Sequence, residues 1–256
     1  IKKKLMVSYK INLKENSNIR KISHTISNVI FEEITGIKGI FDTKIAYIST
    51  EKKDKRKIYK LHVADIDGYN SIAIYKSSKQ LMSPTWSPNN DKIAYVSFEN
   101  HRPEIFVQTL ATGERKKINN KNKSSSAPAW SPNGDFMAYT SSVNGNLEIF
   151  VHNFLKNSNK RITNSIGIDT EAEWHPNGKK IFFTSDRSGK PHIYIKPIKH
   201  GKAKRVTFDG IYNADANISS DGKFLSLVHN NGSGHKIALY SLKDKYLKVI
   251  SKGKLD

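Results

Sequence analysis

Catalysis and metal binding require particular side chains at particular spacings, and this sequence contains few of them. The chain has no cysteine, which excludes thiolate metal sites, cysteine nucleophiles and disulfide bonds. It has neither the Gly-x-Ser-x-Gly elbow of a serine hydrolase nor the His-Glu-x-x-His motif of a zinc peptidase, so we predict no catalytic residue. The nine histidines are not spaced as metal ligands. His24, His62, His152 and His192 are predicted in regular elements, and His101, His229 and His235 in loops.

One acidic stretch, Asp65–Gly68, resembles half of a calcium-binding loop. The full EF-hand pattern is absent, and Asp67-Gly68 coincides with a turn between two predicted strands, so a hairpin is the better interpretation. A cation in a central channel, bound by carbonyl groups and Asp or Thr side chains, is an alternative that the sequence permits without requiring. No metal site and no cofactor are predicted.

Composition narrows the class of protein further. The 256 residues suffice for one large domain or two ordinary ones, and the formal net charge is +20. This balance favours acidic partners, but the lysines are spread over the whole chain, and a solvated basic surface is the simpler interpretation. No apolar run approaches the roughly 20 residues of a membrane span, so no membrane insertion is predicted. The absence of cysteine fits an exported protein.

A repeat of 44 residues shows where the strands must lie. Trp86, Trp130, Trp174 and Ile218 follow one another at that interval, and Pro88, Pro132 and Pro176 stand two residues after the tryptophans. Each repeat holds four short runs rich in β-branched and aromatic residues, separated by Gly, Asn, Asp and Pro, which is typical of a four-stranded propeller blade. We predict that each tryptophan packs between neighbouring sheets, that the proline ends the innermost strand, and that the following Asn-Gly or Asp-Gly pair reverses the chain.

The predicted architecture is an all-β propeller over residues 38–256. A partial blade at 38–76 lacks its innermost strand, and full blades follow at 81–120, 125–164, 169–208 and 213–252. Another innermost strand would be due just beyond Asp256, and closed propellers commonly complete the first blade with a strand from the C-terminus. We therefore expect a part of a larger protein, which on its own would expose sheet edges.

Residues 1–37 are predicted to be the end of a separate α/β domain. An alternating stretch at residues 4–14 predicts a strand, and residues 17–36 predict an amphipathic helix. Ser17 or Asn18 would cap this helix, and Gly36 would end it. A strand and a helix cannot form a domain alone, so we expect the remainder of that domain to precede them.

Several motifs together resemble those of the TolB family, soluble periplasmic proteins of the Tol–Pal system in Gram-negative bacteria. The junction between helix and propeller, from His24 to Tyr47, is similar to that of the family, and blade motifs follow it. These motifs are DIDGYN (Asp65–Asn70), LMSPTWSPNNDKIAYVSFE (Leu81–Glu99), FTSDRSGKPHIY (Phe183–Tyr194) and DANISSDGKF (Asp215–Phe224). Two positions depart from the family pattern, His175 and Ile218.

The resemblance implies a function that the residues alone do not. It implies six blades and a non-enzymatic, monomeric periplasmic scaffold that binds Pal, the peptidoglycan-associated lipoprotein, through the propeller. It also implies a contact with TolA through an N-terminal segment that precedes this sequence, and a role in outer-membrane integrity and cell division.

The expected Pal-binding face is built from the loops that lead into the innermost strands and from the loops between second and third strands. Such loops on a rigid scaffold are where binding residues concentrate. The candidate contact residues are Ser124, Ala127, Asp169, Thr170, Glu171, Asn213, Asp215, His101, Arg102 and Arg187.

Two other functions remain as alternatives. The chain could be the propeller part of a hydrolase or lyase, which would require a cluster of titrating groups in the channel. It could also be a basic nucleic-acid-binding propeller, which would require one basic face and a steep salt dependence. The scattered lysines argue against nucleic acid.

Overall fold

In the computed structural model, the described residues are 8, 10, 18–53, 56–118 and 123–252. They form one helix and nineteen strands in five sheets, so the predicted all-β fold is confirmed. The chain divides into two compact units, Ile1–Ser49 with Lys60–Lys76, and Thr50–Tyr59 with Ser77–Asp256. The domain boundary after residue 37 stays a prediction.

The first unit contains helix α1 (Ile19–Thr35), whose ends follow the capping chemistry of its sequence. Asn18 caps it, its Oδ1 accepting a hydrogen bond from the backbone N–H of Lys21 at 3.0 Å. Gly36 ends it in the left-handed conformation, at φ 68°. The strand predicted at residues 4–14 lies almost wholly outside the described residues.

Three strands form the first sheet: β1 (Lys44–Lys53), β2 (Arg56–Asp65) and β3 (Ile72–Ser77). Asp65 begins the turn after β2, its carbonyl accepting a hydrogen bond from the N–H of Gly68 at 2.8 Å, as a hairpin requires. The Asp65 carboxylate is bonded to Lys44 Nζ at 2.9 Å, which lowers its pKa, and Asp67 pairs with Arg20. These carboxylates are thus engaged with cationic side chains.

Four sheets of four strands form most of the second unit, each in antiparallel order along the chain. The second sheet holds β4 (Leu81–Trp86), β5 (Lys92–Ser97), β6 (Glu104–Thr109) and β7 (Arg115–Lys117). The third holds β8 (Ser125–Trp130), β9 (Phe136–Val143), β10 (Asn146–Asn153) and β11 (Ser158–Arg161). The fourth holds β12 (Asp169–Trp174), β13 (Lys180–Ser185), β14 (His192–Pro197) and β15 (Lys204–Arg205). The fifth holds β16 (Tyr212–Ile218), β17 (Phe224–Asn230), β18 (Lys236–Ser241) and β19 (Tyr246–Val249).

The core of these four sheets lies between neighbouring sheets. Trp174 of β12 is 4% exposed and belongs to a cluster that unites residues of the third and fourth sheets. Trp130 packs in the cluster between the second and third sheets, and Ile218 in that between the fourth and fifth. Large side chains at this repeated position help to fill the space between sheets, and the apolar area buried there stabilises the fold.

The turn that follows each innermost strand repeats one conformation. Asn90, Gly134, Gly178 and Gly222 occupy the same repeat position, and all have positive φ, from 57° to 76°. Ser131 Oγ accepts a hydrogen bond from the N–H of Phe136 at 2.9 Å and thereby closes one of these turns. His175 stands in place of such a serine, and its Nδ1 contacts the N–H of Asn177 at 3.1 Å instead.

Each innermost strand also contains a β-bulge at the same place. Ser83, Ala127, Glu171 and Asp215 stand 44 residues apart, and each has a φ between 48° and 54°. At each of them the pairing with the second strand shifts register. The left-handed conformation is strained for Ser, Ala and Glu, so at least the bulges at Ser83, Ala127 and Glu171 are features that the surrounding sheets impose.

Candidate functional site

The four innermost strands, β4, β8, β12 and β16, line a cavity of about 610 Å³ within the second unit. The bulged residues Ser83, Ala127, Glu171 and Asp215 all line it. Among the described lining residues there are three carboxylates, Glu171, Glu173 and Asp215, and no lysine, arginine or histidine. The cavity is therefore acidic, although the protein as a whole is strongly basic.

Two of these carboxylates differ sharply in their surroundings. Glu171 Oε2 accepts hydrogen bonds from Thr184 Oγ1 at 2.7 Å and from the N–H of Asp215 at 3.0 Å, which joins the fourth sheet to the fifth. The backbone of Glu173 pairs with Phe182 in the sheet, but its side chain has no hydrogen bond or ion pair with any described residue. Burial, and then the charge of Asp215, raise the pKa of Glu173 to about 7. The pKa of Glu173 thus places a titrating group in the cavity near neutral pH.

Exposed apolar side chains lie where the chain leads into two of the innermost strands. Ile166 is 100% exposed and Ile168 46% exposed, just before β12, and Phe208 is 67% exposed and Ile211 42% exposed, just before β16. Because the innermost strands line the cavity and start here, these side chains lie at one end of it. We call this end of the cavity the loop end. The turns with positive φ that follow the innermost strands lie at the opposite end, which we call the turn end. Grouped apolar side chains on a surface are typical of a binding site.

Two arginines at the loop end are held by buried carboxylates. Arg187 bonds Asp169, which is 0% exposed, at 2.6 Å, and its guanidinium stacks over the ring of Tyr194. Arg102 bonds Glu104, which is 4% exposed, at 3.0 Å. Buried, paired carboxylates of this kind fix an arginine in one orientation, so part of each guanidinium is positioned at the surface.

The structure brings only some of the predicted contact residues to an accessible surface. Ala127, Thr170, Glu171 and Asp215 line the cavity, and Ser124, His101, Arg102 and Arg187 lie in or beside loops at its end. Asp169 and Asn213 are both 0% exposed. They stand behind the surface and hold other groups in place, because their side chains bond Arg187 and two histidines respectively.

Several features of this site were not predicted from the sequence. Proline inside a predicted strand, as at Pro84 and Pro128, was the available signal for the bulges, because proline in a strand favours a bulge. The exposed residues Ile166 and Phe208 carried no signal in a single sequence. The prediction of His229 in a loop was wrong, since it lies in β17 and is 4% exposed.

Within the described ranges, no group of three or more His, Asp or Glu side chains is placed to hold a metal ion. No helix in the described part of the chain has the length and apolar character needed to cross a membrane.

Comparison with known proteins places the fold in a family. The family described as "TolB beta propeller domain" matches residues 31–256. The Tol-Pal system protein TolB of Methylococcus capsulatus is 47% identical over 114 residues, which are 44% of this chain and 27% of that protein. The crystal structure of TolB from Acinetobacter baumannii has a TM-score of 0.89 and 40% identity, covering 96% of this chain and 62% of that one. The predicted propeller fold is thereby confirmed.

More distant structures share the architecture only. A puromycin-hydrolyzing peptidase of Mycobacterium tuberculosis matches with a TM-score of 0.60 at 14% identity, over 80% of this chain and 37% of that one. At that identity the likeness shows the fold alone. The chain matches about a quarter of the length of the M. capsulatus protein and less than two thirds of the A. baumannii protein. Since the family match extends over most of its residues, the chain belongs to the TolB β-propeller family.

Proposed function

We propose that this chain is the propeller part of a periplasmic, non-enzymatic Tol–Pal protein, and that the loop end of its second unit binds the Pal lipoprotein. Through that contact it would support outer-membrane integrity and cell division. A contact with TolA, which the family resemblance implies, is proposed to lie outside the four sheets.

The observation that carries the proposal is the combination of exposed apolar side chains with an acidic cavity at one end of a rigid scaffold. Ile166 and Phe208 are large, apolar and largely exposed, as residues that become buried in a complex must be. Glu171 and Asp215 provide negative charge behind them. A partner would bury its own apolar side chains against the rim and direct a donor or a cationic group into the cavity.

The bulged strands make this surface rigid. Glu171 and Asp215 are held in the left-handed region and are joined by a hydrogen bond from the backbone N–H of one to the carboxylate of the other. A surface that is fixed before binding loses little conformational entropy on association, so more of the contact energy appears as affinity.

The enzyme alternative has one observation in its favour and is not preferred. The pKa of Glu173 is raised to about 7, a value that suits a general acid, but burial and the charge of Asp215 account for the rise without a catalytic role. No described residue bonds its carboxyl group, so the second catalytic group that orients or exchanges a proton with such an acid is not in place. The named TolB relative at 47% identity belongs to the Tol–Pal system.

The proposal is tested by measuring the affinity of the full chain for purified Pal. We expect Ile166→Ser to weaken binding by roughly 10-fold or more, as for the loss of one apolar anchor. Leu155→Ser is the matched control, because Leu155 is also apolar, is 91% exposed, and lies in the β10–β11 turn at the turn end. Equal affinities for both variants, or no binding by the unaltered chain, would reject the proposal.

A further inference from the structure

A buried amide links two buried histidines where the fourth and fifth sheets meet. Asn213 of β16 contacts His192 Nδ1 of β14 through its Nδ2, at 3.1 Å, and His229 Nδ1 of β17 through its Oδ1, at 2.9 Å. The exposed fractions are 0% for Asn213, 3% for His192 and 4% for His229. All of these polar groups are hidden from solvent, so their proton arrangement must be satisfied internally.

One backbone carbonyl sets the orientation of the amide. Asn213 Nδ2 also donates a hydrogen bond to the carbonyl of Asp209 at 2.7 Å, and a carbonyl can only accept. The amide nitrogen therefore faces His192, whose Nδ1 must carry a lone pair. The amide oxygen faces His229, whose Nδ1 must carry a hydrogen. A single side chain thus assigns the tautomers of both rings.

A proton on His192 would break this arrangement. Its Nδ1–H would face the Nδ2–H₂ group of Asn213, so that two donors oppose each other at 3.1 Å. The acceptor left to it would be Thr207 Oγ1, whose distance of 3.4 Å makes a weak hydrogen bond. Turning the amide would place Oδ1 against the carbonyl of Asp209 and Nδ2–H₂ against the Nδ1–H of His229. Neither orientation gives every group a partner at ordinary hydrogen-bond distance, so the network favours a neutral His192.

The surrounding charges also disfavour that proton. Burial lowers the pKa of His192 to about 4, and the positive charges of Arg205, His229 and Lys190 act in the same direction. Burial also lowers the pKa of His229, against the opposing influence of Asp209. The charged groups that face the two rings are Arg205, Lys190 and Asp209. Lys236 lies opposite His229 in the pairing of β17 with β18.

In the third sheet a different residue occupies the repeat position of His192. Glu148 stands there, and Arg161 bonds it at 2.7 Å while donating to the carbonyl of Thr163, also at 2.7 Å. Arg205 donates to the carbonyl of Thr207 at the same distance, but it has His192 beside it where Arg161 has a carboxylate. A protonated His192 would therefore stand next to an unneutralised arginine.

The network holds the loop between β15 and β16. The carbonyl of Asp209 accepts a hydrogen bond from Asn213, and the N–H of Ile211 donates to the carbonyl of Asn230 at 2.8 Å. Gly210 packs so closely on the His229 ring that a side chain at this position would collide with it. We propose that His192, Asn213 and His229 form a proton-sensitive latch, which holds residues 208–211 in place at neutral pH and loosens them in acid. The latch belongs to this chain alone and does not depend on the proposed partner.

Hydrogen exchange of the full chain at pH 7 and pH 5, corrected for the intrinsic pH dependence of exchange, tests the latch. When the loop at residues 208–211 opens, His192 regains its ordinary pKa of about 6.5. The protection of residues 208–213 against exchange should therefore be roughly 20-fold lower at pH 5 than at pH 7. In His192→Gln the amide oxygen can still accept from Asn213 but cannot be protonated, so protection should hardly change between the two pH values.

The matched control is His152→Gln. His152 is also buried and has a lowered pKa, but its Nδ1 contacts Asn159 within the third sheet. This variant should keep the acid-dependent loss at residues 208–213. Undiminished protection of the unaltered chain at pH 5, or an equal loss in His192→Gln, would overturn the proposal. If His192→Gln does not fold, NMR titration of His192 decides: a midpoint below about 5.5 supports the latch and a higher one refutes it.

Discussion

The indole Nε1–H of Trp174 donates a hydrogen bond to the backbone carbonyl of Ala129 at 3.1 Å, and so ties the innermost strand of the fourth sheet to that of the third. Trp130, one repeat earlier, has a buried Nε1 that finds no acceptor among the described residues. The same residue at the same repeat position is therefore bonded in one interface between sheets and not in the previous one.

This difference predicts unequal effects of Trp→Phe at the two positions. Trp174→Phe should lower the free energy of unfolding by about 1 kcal/mol more than Trp130→Phe, because only the former loses a hydrogen bond while both lose similar apolar area. Chemical denaturation of both variants measures it. Equal losses would mean that the bond between the two sheets contributes nothing to stability.

A second prediction concerns the strained bulge at Ala127, where φ is 48°. Ala127→Gly should raise the free energy of unfolding by about 0.5–1 kcal/mol, because the left-handed conformation penalises a Cβ. Ala129→Gly in the same strand is the control and should be destabilising, since Ala129 is 7% exposed in a core cluster. A destabilised Ala127→Gly variant would contradict the interpretation of the bulge as strained.

A third prediction follows from the raised pKa of Glu173, about 7. Folded Glu173 retains its proton at pH values where the unfolded carboxyl group, with its ordinary pKa near 4.3, has lost it. Its contribution to stability is therefore present below pH 4 and is lost as pH rises through 7. Glu173→Gln should accordingly be more stable than the unaltered chain at pH 8, by about 2 kcal/mol, with no difference at pH 4.

The measurement is thermal or denaturant unfolding of both proteins over that pH range. Glu171→Gln is the control: a neutral amide oxygen accepts from Thr184 and from Asp215 more weakly than a carboxylate does, so this variant should not gain stability at pH 8. A Glu173→Gln protein that is no more stable than the unaltered chain at pH 8 would show that Glu173 is ionised without cost.

A fourth prediction compares a buried and an exposed carboxylate. Glu148 is 0% exposed and is bonded to Arg161 at 2.7 Å and to Thr163 Oγ1 at 2.6 Å. Glu148→Ala should cost about 3–5 kcal/mol of unfolding free energy, because Arg161 loses its counter-charge and Thr163 its acceptor. Glu114→Ala, which removes only a surface pair with Lys116, should change stability by less than about 0.5 kcal/mol. Similar losses in both would contradict the structural role of Glu148.

The repeat made the fold predictable from one sequence. The spacing from Trp86 to Ile218 located sixteen strands in four sheets, because hydrophobic periodicity and turn residues are local signals. The bulge at Glu171 was not predicted, since nothing local distinguishes its left-handed conformation. His229 was misplaced because its neighbours Asn230 and Asn231 indicate a loop.

The site was less predictable than the fold, because it depends on contacts between repeats. Asp169 and Asn213 lie at the start of β12 and β16, where contact residues were expected, but each is bonded to a partner that lies 16 or more residues away along the chain and is buried. The raised pKa of Glu173 depends on burial between the innermost strands and on Asp215 in the next sheet. Such pairs cannot be deduced from spacing alone, since register and side-chain direction both have to be known.

The most direct test of the proposed binding face is hydrogen exchange of the full chain with and without Pal. Pal is expected to slow exchange at residues 165–170 and 208–213, at the entries to β12 and β16, and to leave exchange at the turns near Gly134, Gly178 and Gly222 unchanged. Protection confined to those turns, or the same exchange at the loop end with and without saturating Pal, would contradict this expectation.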